Sequence, residues 1–81
     1  MSRFTIFGRS SCGYCVRAKQ LLDDKGYDYR WVDIVQEGIS KADLEKTIGK
    51  PVETVPQIFD GTSYVGGYTE LAEQFESSNA A

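Results

Sequence analysis

Two cysteines, Cys12 and Cys15, lie at the junction between an apolar segment and a helical pattern, and the chain contains no others. Residues 4–7 have the composition of a short buried strand, which ends at Gly8. After a polar turn, apolar side chains recur at helical spacing from Cys15 onward. A strand that leads through a C-x-x-C sequence into a helix predicts an α/β fold with both cysteines at the helix N-terminus.

The rest of the chain continues this alternation, in the order β-α-β-α-β-β-α. The first helix is expected to end at Lys25 with Gly26 as its C-terminal cap, and the two strands that it connects are expected to be parallel. The later elements are a strand at 29–34, a helix at 40–48, two hairpin strands at 56–59 and 63–65, and a helix at 69–75. We therefore expect a single domain over residues 1–81, with a four-stranded mixed sheet, helices on both faces and a frayed tail at 77–81.

Capping and turn residues mark the ends of the later elements. Ser40, with Asp43 three residues on, resembles a capping box, and Gly49 supplies the stop. The hairpin turn is placed at Asp60-Gly61. Thr69 is expected to cap the last helix.

The composition excludes several classes of function. The chain has 81 residues, a net charge of −3 and no histidine. Because no basic stripe is available to neutralise phosphates, we expect no nucleic-acid partner. No apolar run approaches the length that crosses a bilayer, and no signal peptide precedes the first strand. We therefore expect a cytoplasmic protein without membrane contact, in a compartment where a close cysteine pair is more often catalytic or metal-binding than structural.

The position of the pair predicts different roles for its two thiols. Cys12 faces the unpaired amide groups and the positive dipole end of the helix, which stabilise a thiolate, so it is predicted to be the exposed nucleophile. Cys15 lies one turn further on, on the apolar face, and is predicted to be the resolving thiol. Because the chain has no histidine, Arg9 and Arg17 are the candidate side chains that help to activate Cys12.

Two other interpretations of the pair are weaker. A closed zinc site needs four ligands, whereas the chain offers two cysteines and no histidine. A structural disulfide across so short a loop would add little stability in a reducing cell. Redox chemistry is therefore the favoured interpretation, and no metal site is predicted within one chain.

Two further segments each allow a structural and a functional interpretation. Pro56 either opens an edge strand or follows a cis bond that turns the Val55 backbone toward an extended, cysteine-containing peptide. Residues 66–70 form either a turn into a capped helix or a place where a ligand approaches the backbone and its carboxylate binds the helix N-terminus. Tyr14 and Tyr68 are either packing residues or the walls of a groove.

Three segments taken together resemble the glutaredoxin family, and the match covers nearly the whole chain. They are residues 7–19 around the cysteines, residues 50–59 before the hairpin turn, and residues 66–69 before the last helix. The resemblance implies a thioredoxin-like fold with glutathione lying in a groove, Cys12 as nucleophile and Cys15 as resolving cysteine. By position, the implied glutathione contacts are Arg9, Tyr14, Thr54, Val55, Pro56, Gly67, Tyr68, Thr69 and Glu70.

The resemblance also implies what the protein does. Glutathione would reduce it, and the protein, as a monomer, would reduce protein disulfides and glutathione mixed disulfides. The likeness is strongest to the bacterial dithiol members, which reduce ribonucleotide reductase. A thioredoxin-type protein reduced by a flavoprotein is an alternative that Thr54 and residues 66–69 disfavour.

Two residues depart from the family pattern. Gly13 stands where the family usually has Pro, and Glu70 stands where it has Asp. A small residue between the cysteines accompanies [2Fe–2S] cluster binding in some members, in which Cys12 of two chains and two glutathiones would supply four thiolates. A dimeric cluster carrier or sensor is therefore an alternative function. The simpler interpretation is that Gly13 shifts the redox potential.

Overall fold

The structure, a computed structural model, describes residues 3–52 and 55–79. Its strands are β1 (Phe4–Gly8), β2 (Tyr29–Asp33), β3 (Gln57–Asp60) and β4 (Ser63–Gly66), and its helices are α1 (Gly13–Lys25), α2 (Lys41–Ile48) and α3 (Tyr68–Asn79). This order confirms the predicted succession of elements. The longest helix of the described residues, α1, has 13 residues, and none of these helices combines the length and apolar character needed to cross a membrane.

The four strands form one mixed sheet in the order β2-β1-β3-β4. β1 runs parallel to β2, with Ile6 opposite Trp31, as the crossover through α1 requires. β3 runs antiparallel to both β1 and β4, and an irregularity between Ile58 and Phe59 shifts its register with β4. β1 therefore has a partner on each side, and the turn that carries Cys12 follows this central strand.

Alternate residues of β1 build the main hydrophobic core. Phe4 and Ile6 are buried on the face of the sheet that α1 and α3 cover. The helices and β3 complete this cluster with Ala18, Leu22, Ile58, Leu71 and Phe75. The other face of the sheet carries Phe7 and Phe59, whose ring centroids are 6.2 Å apart. The arrangement confirms the predicted α/β fold, and it anchors the helix that begins at the cysteines.

The predicted ends of α1 and α2 are confirmed. The Asp43 amide donates to the Ser40 hydroxyl at 3.1 Å, and the Ser40 amide donates to the Asp43 carboxylate at 3.4 Å, which completes the capping box. Gly26 and Gly49 end the two helices in the left-handed conformation, with φ angles of 76° and 87°. Local capping signals therefore locate these ends to within one residue.

The boundaries of α3 differ from the prediction at both ends. The helix begins at Tyr68, so Thr69 lies in its first turn, and the prediction that Thr69 is the N-terminal cap was wrong. The Gly67 amide donates instead to Glu70 Oε1 at 2.7 Å, and this contact starts the helix one residue earlier. The helix continues to Asn79, so part of the segment predicted to be a frayed tail is helical in its backbone.

Replacing Leu22 with alanine tests the core on which α1 rests. Leu22 is fully buried in the main cluster, so its truncation removes apolar contacts and leaves a cavity. We expect the free energy of unfolding, measured by urea denaturation, to fall by about 2–5 kcal/mol. Val35→Ala is the control, because Val35 is 68% exposed, and it should change that free energy by less than about 0.5 kcal/mol. Equal losses in the two variants would contradict this description of the core.

Candidate functional site

The Cys12 sulfur takes the place of a capping oxygen at the N-terminus of α1. Cys12 has an extended backbone (φ −92°, ψ 117°), and the Cys15 amide donates to Cys12 Sγ at 3.2 Å. The Cys12 amide donates to the Arg9 carbonyl at 3.1 Å and closes the turn between β1 and α1. The sulfur therefore lies at the positive end of the helix, the position predicted from the sequence.

Cys15 lies one turn further into α1 and faces the core. Its side chain is fully buried, and both cysteines are free thiols. Burial raises the pKa of the Cys15 thiol to about 12, and a hydrogen bond with the Cys12 side chain adds to this effect, while a backbone hydrogen bond from Arg9 opposes it. Cys15 therefore carries its proton at neutral pH, and Cys12 is the partly exposed thiol of the pair.

The backbone of Val55 lies across the site from Cys12. The Cys12 thiol donates to the Val55 carbonyl, with 3.5 Å between sulfur and oxygen. The Val55–Pro56 peptide bond is cis, as the second interpretation of this proline required, and the pairing of Val55 with a peptide stays a prediction. Pro56 is buried, and the half-buried Val55 places its carbonyl next to the Cys12 sulfur.

A groove of about 240 Å³ adjoins Cys12 through Val55, which lines the groove and whose carbonyl accepts from the Cys12 thiol; Cys12 itself is not part of the lining. Six of the nine residues predicted to contact glutathione line it: Tyr14, Val55, Gly67, Tyr68, Thr69 and Glu70. The Tyr14 and Tyr68 rings have centroids 5.9 Å apart and form one wall. Tyr14 is 56% exposed, whereas Tyr68 also packs against the core. The fold therefore brings the C-x-x-C segment, the Val55 backbone and the start of α3 to one place.

Two of the other predicted contacts, Arg9 and Pro56, do not line this groove. Arg9 is exposed in the turn before α1, and Pro56 is buried. Thr54 lies outside the described residues. Arg17, predicted to help activate Cys12, lies with its guanidinium carbon 5.4 Å from the centroid of the Tyr14 ring. Arg17 therefore contacts Tyr14, which forms part of the groove wall.

A second cluster, formed by Lys50, Gln57 and Tyr64, borders the groove at Glu70. It was not predicted from the sequence. The Tyr64 hydroxyl donates to Gln57 Oε1, and Lys50 Nζ lies 3.9 Å from the centroid of the Tyr64 ring. Burial raises the pKa of Tyr64, and the nearby Glu70 carboxylate adds to this effect. No motif could reveal these contacts, because they join two strands of the hairpin to the loop after α2 and to α3.

The donor set of this site does not fit a metal group held within one chain. Among residues 3–52 and 55–79, no group of three or more His, Cys, Asp or Glu side chains is arranged to bind a metal ion. A [2Fe–2S] cluster needs four ligands, of which one chain could present Cys12 at its surface. The dimeric cluster carrier therefore stays a prediction of the resemblance.

Two thiols one helical turn apart can be oxidised to a disulfide and reduced again by thiol–disulfide exchange. Their unlike environments, one at a helix terminus and one in the core, allow the two sulfurs to react in a fixed order. The fold is thioredoxin-like, and the chain is an enzyme of the thiol–disulfide oxidoreductase class.

Comparisons with known sequences show a more specific likeness. The family model described as Glutaredoxin matches residues 4–65 of this chain. Glutaredoxin 1 of Salmonella typhimurium is 57% identical over 71 residues, which cover 82% of each of the two chains.

Solved structures agree with these sequence matches. Reduced Escherichia coli glutaredoxin superposes with a TM-score of 0.79 at 49% identity, over 98% of this chain and 99% of that one. A buckwheat glutaredoxin–glutathione complex gives a TM-score of 0.79 at 30% identity, over 95% of this chain and 71% of that one. The chain belongs to the glutaredoxin family, and its likeness is to the bacterial glutaredoxin 1 type.

The buried Cys15 thiol predicts how the stability of the reduced protein depends on pH. In the unfolded chain Cys15 loses its proton near pH 9, whereas the folded chain retains it to about pH 12. The folded state binds the additional proton between these values, so stability falls as the pH rises through this range. The contribution is complete below pH 9, and the loss above it is about 1.4 kcal/mol per pH unit.

Urea denaturation at about pH 8 and about pH 11, with a phosphine reductant present, measures this effect. Cys15→Ala is the control, because subtracting its free energy of unfolding removes the contributions of the other titrating groups. The free energy of unfolding of the wild type, taken relative to that of Cys15→Ala, should decrease by about 1–3 kcal/mol between the two pH values. A difference that does not change with pH would contradict the raised pKa.

Proposed function

We propose that the protein uses glutathione to reduce protein disulfides and glutathione mixed disulfides, with Cys12 as the nucleophile and Cys15 as the resolving thiol. The observation that carries this proposal is the groove beside Cys12, which gathers six residues that the family pattern assigns to glutathione. The buckwheat relative was solved as a complex with glutathione, which supports the same ligand for this chain. The groove combines an open backbone, an aromatic wall and a helix N-terminus, which suit a charged tripeptide thiol.

The groove offers a partner for each part of glutathione. The Val55 backbone can pair with the cysteinyl residue as an added strand and hold its sulfur at Cys12. The unpaired amides at the start of α3 can bind the γ-glutamyl carboxylate, and Glu70 can accept a hydrogen bond from the adjacent ammonium. Glu70 Oε1 already accepts from the Gly67 amide, but a carboxylate has further acceptor sites. Arg9 would neutralise the glycyl carboxylate.

The proposed reaction is two successive thiol–disulfide exchanges. The Cys12 thiolate attacks one sulfur of the substrate disulfide, forms a mixed disulfide and releases the other sulfur as a thiolate. Cys15 then attacks Cys12 Sγ, which gives the Cys12–Cys15 disulfide, and its proton passes to the second departing sulfur. Two glutathione molecules return the pair to the dithiol and leave as glutathione disulfide. Two electrons thus pass from glutathione to the substrate.

The protein substrate and the compartment belong to the same proposal. The bacterial likeness implies ribonucleotide reductase as a substrate, and the cytoplasm as the place where glutathione keeps the pair reduced. The groove is open at Tyr14, which leaves room for a protein segment to approach Cys12. Incubation of oxidised ribonucleotide reductase with this protein and glutathione tests the substrate. Failure to reduce it, while a small glutathione mixed disulfide is still turned over, would exclude that partner.

Serine substitutions separate the roles of the two thiols. Cys12→Ser should abolish all activity, because the chain has no other thiol at the helix N-terminus. Cys15→Ser should keep the reduction of small glutathione mixed disulfides, since glutathione itself can resolve the intermediate, and should lose the reduction of protein disulfides. Turnover coupled to glutathione reductase measures the first activity, and insulin reduction measures the second. Equal loss of both activities in both variants would overturn the assignment.

Glu70→Ala and Thr69→Ala test the glutathione end of the groove. Each should raise the KM for glutathione several-fold, corresponding to about 1 kcal/mol, because a ligand contact at the start of α3 is lost. Glu73→Ala is the matched control, since Glu73 is an exposed glutamate of the same helix that does not line the groove. If Glu70→Ala lowers stability but leaves the KM unchanged, the Glu70 carboxylate caps the helix and does not bind glutathione.

A further inference from the structure

Gly8, the last residue of β1, lies against the buried thiol of Cys15. A Cβ atom added to Gly8 would lie 2.6 Å from Cys15 Sγ, 3.0 Å from Cys15 Cβ and 3.2 Å from Trp31 Cη2. A carbon–sulfur separation of 2.6 Å is far inside van der Waals contact, so one of the groups would have to move. The first turn of α1 therefore packs on the end of β1 without room for a methyl group.

The requirement for glycine at this position is steric. The described residues with left-handed backbone angles are Gly26, Gly38, Gly49, Gly61 and Gly66. Gly8 is not among them, so alanine could adopt its backbone conformation. Gly13, between the cysteines, is the opposite case, because a Cβ added there meets no atom within 4 Å. What Gly8 contributes is therefore space for the Cys15 side chain.

We propose that Gly8 is a positioning residue for the resolving step, because it allows Cys15 Sγ to lie within reach of Cys12 Sγ. The inference rests on the proposed role of Cys15. In the observed structure the Cys15 amide donates to Cys12 Sγ at 3.2 Å, so the two cysteines already face each other across the first turn of α1. To move from 2.6 Å to an ordinary contact distance, the Cys15 sulfur must shift by roughly 0.8 Å or more. Misplacement of a reacting atom by about 1 Å can slow a reaction by about 100-fold.

Trp31 limits the other ways in which the contact could relax. The Cβ atom added to Gly8 would lie close to both Trp31 Cη2 and Cys15 Sγ. These two atoms are therefore within about 6 Å of each other. The Trp31 ring packs against the main core, and Lys19 Nζ lies 4.7 Å from its centroid. The added Cβ would lie 2.6 Å from the sulfur and 3.2 Å from the ring, so the sulfur and its helical turn are the groups under the greater steric pressure.

The reaction with one aromatic disulfide measures the reactivity of the two thiols separately. Dithiobis(nitrobenzoate), an aromatic disulfide, releases one coloured thiolate when Cys12 attacks it and a second when Cys15 attacks the resulting mixed disulfide. With one equivalent of reagent in stopped flow, the second release is unimolecular. We expect Gly8→Ala to slow this second phase by about 10- to 100-fold and to change the first by less than about 3-fold. A second phase as fast as that of the wild type would overturn the role of Gly8.

A double-mutant cycle keeps the inference testable if Gly8→Ala weakens the fold. The free energy of unfolding is measured for Gly8→Ala in the wild-type and in the Cys15→Ala backgrounds, with the fluorescence of Trp31, the single tryptophan, as the signal. If the contact with the sulfur is responsible, Gly8→Ala is less destabilising when the sulfur is absent. The same loss in both backgrounds, including failure to fold in both, would overturn the inference.

Two control reactions distinguish failure of this inference from failure of the proposed function. Cys12→Ser should lose the fast phase, and Cys15→Ser should lose the unimolecular phase. If these variants behave otherwise, the roles of the cysteines are wrong and the inference falls with them. If they behave as expected and Gly8→Ala matches the wild type, only the role of Gly8 is wrong.

Discussion

The hydrogen bond from the Cys15 amide to the Cys12 sulfur joins the chemistry of this protein to its fold. The sulfur can cap α1 because β1, the loop that follows it and the first turn of the helix occupy fixed places relative to one another. Those places are set by the burial of Ile6, Ala18 and Leu22 between the sheet and α1. The hydrophobic core therefore positions a reactive group as well as stabilising the domain.

The same helical turn makes the two thiols unlike. Cys12 lies at the open end of the helix, where donors and the helix dipole meet its sulfur. Cys15, three residues later, is enclosed by β1 and keeps its proton because burial disfavours its charged form. In the proposed mechanism this difference of one turn sets the order of the two exchanges, and the small distance between Gly8 and Cys15 would make that order sensitive to how α1 packs on β1.

Sequence patterns predicted the features whose partners are close in the chain. The capping box of Ser40 and the glycine caps follow from residues within one turn, and the burial of Cys15 follows from its place on the apolar stripe. Thr69 was wrongly predicted to be the N-terminal cap of α3 because two capping patterns overlap there. The observed pattern is the hydrogen bond from the Gly67 amide to the Glu70 carboxylate.

Other features depend on distances between elements, which no local pattern carries. The contact of Lys50 with Tyr64 joins a loop to a hairpin strand, and the closeness of Gly8 to the Cys15 sulfur depends on how tightly α1 packs on β1. Residue patterns gave the groove only as one of two interpretations of Tyr14 and Tyr68, and the family likeness was needed to predict its other residues, because they come from segments far apart in the chain. Motifs therefore led to the two proposed reactive cysteines, and the tertiary structure shows the groove that adjoins them.

Solution NMR of the Cys15→Ser protein with glutathione attached to Cys12 tests the glutathione groove most directly. With the resolving thiol removed, the mixed disulfide persists long enough for its contacts to be mapped. Nuclear Overhauser effects should connect the glutathione to the Val55 backbone, to the Tyr68 ring and to the first amides of α3. A glutathione that is bound through its sulfur alone, or that lies along α1 away from Val55 and α3, would contradict the proposed function.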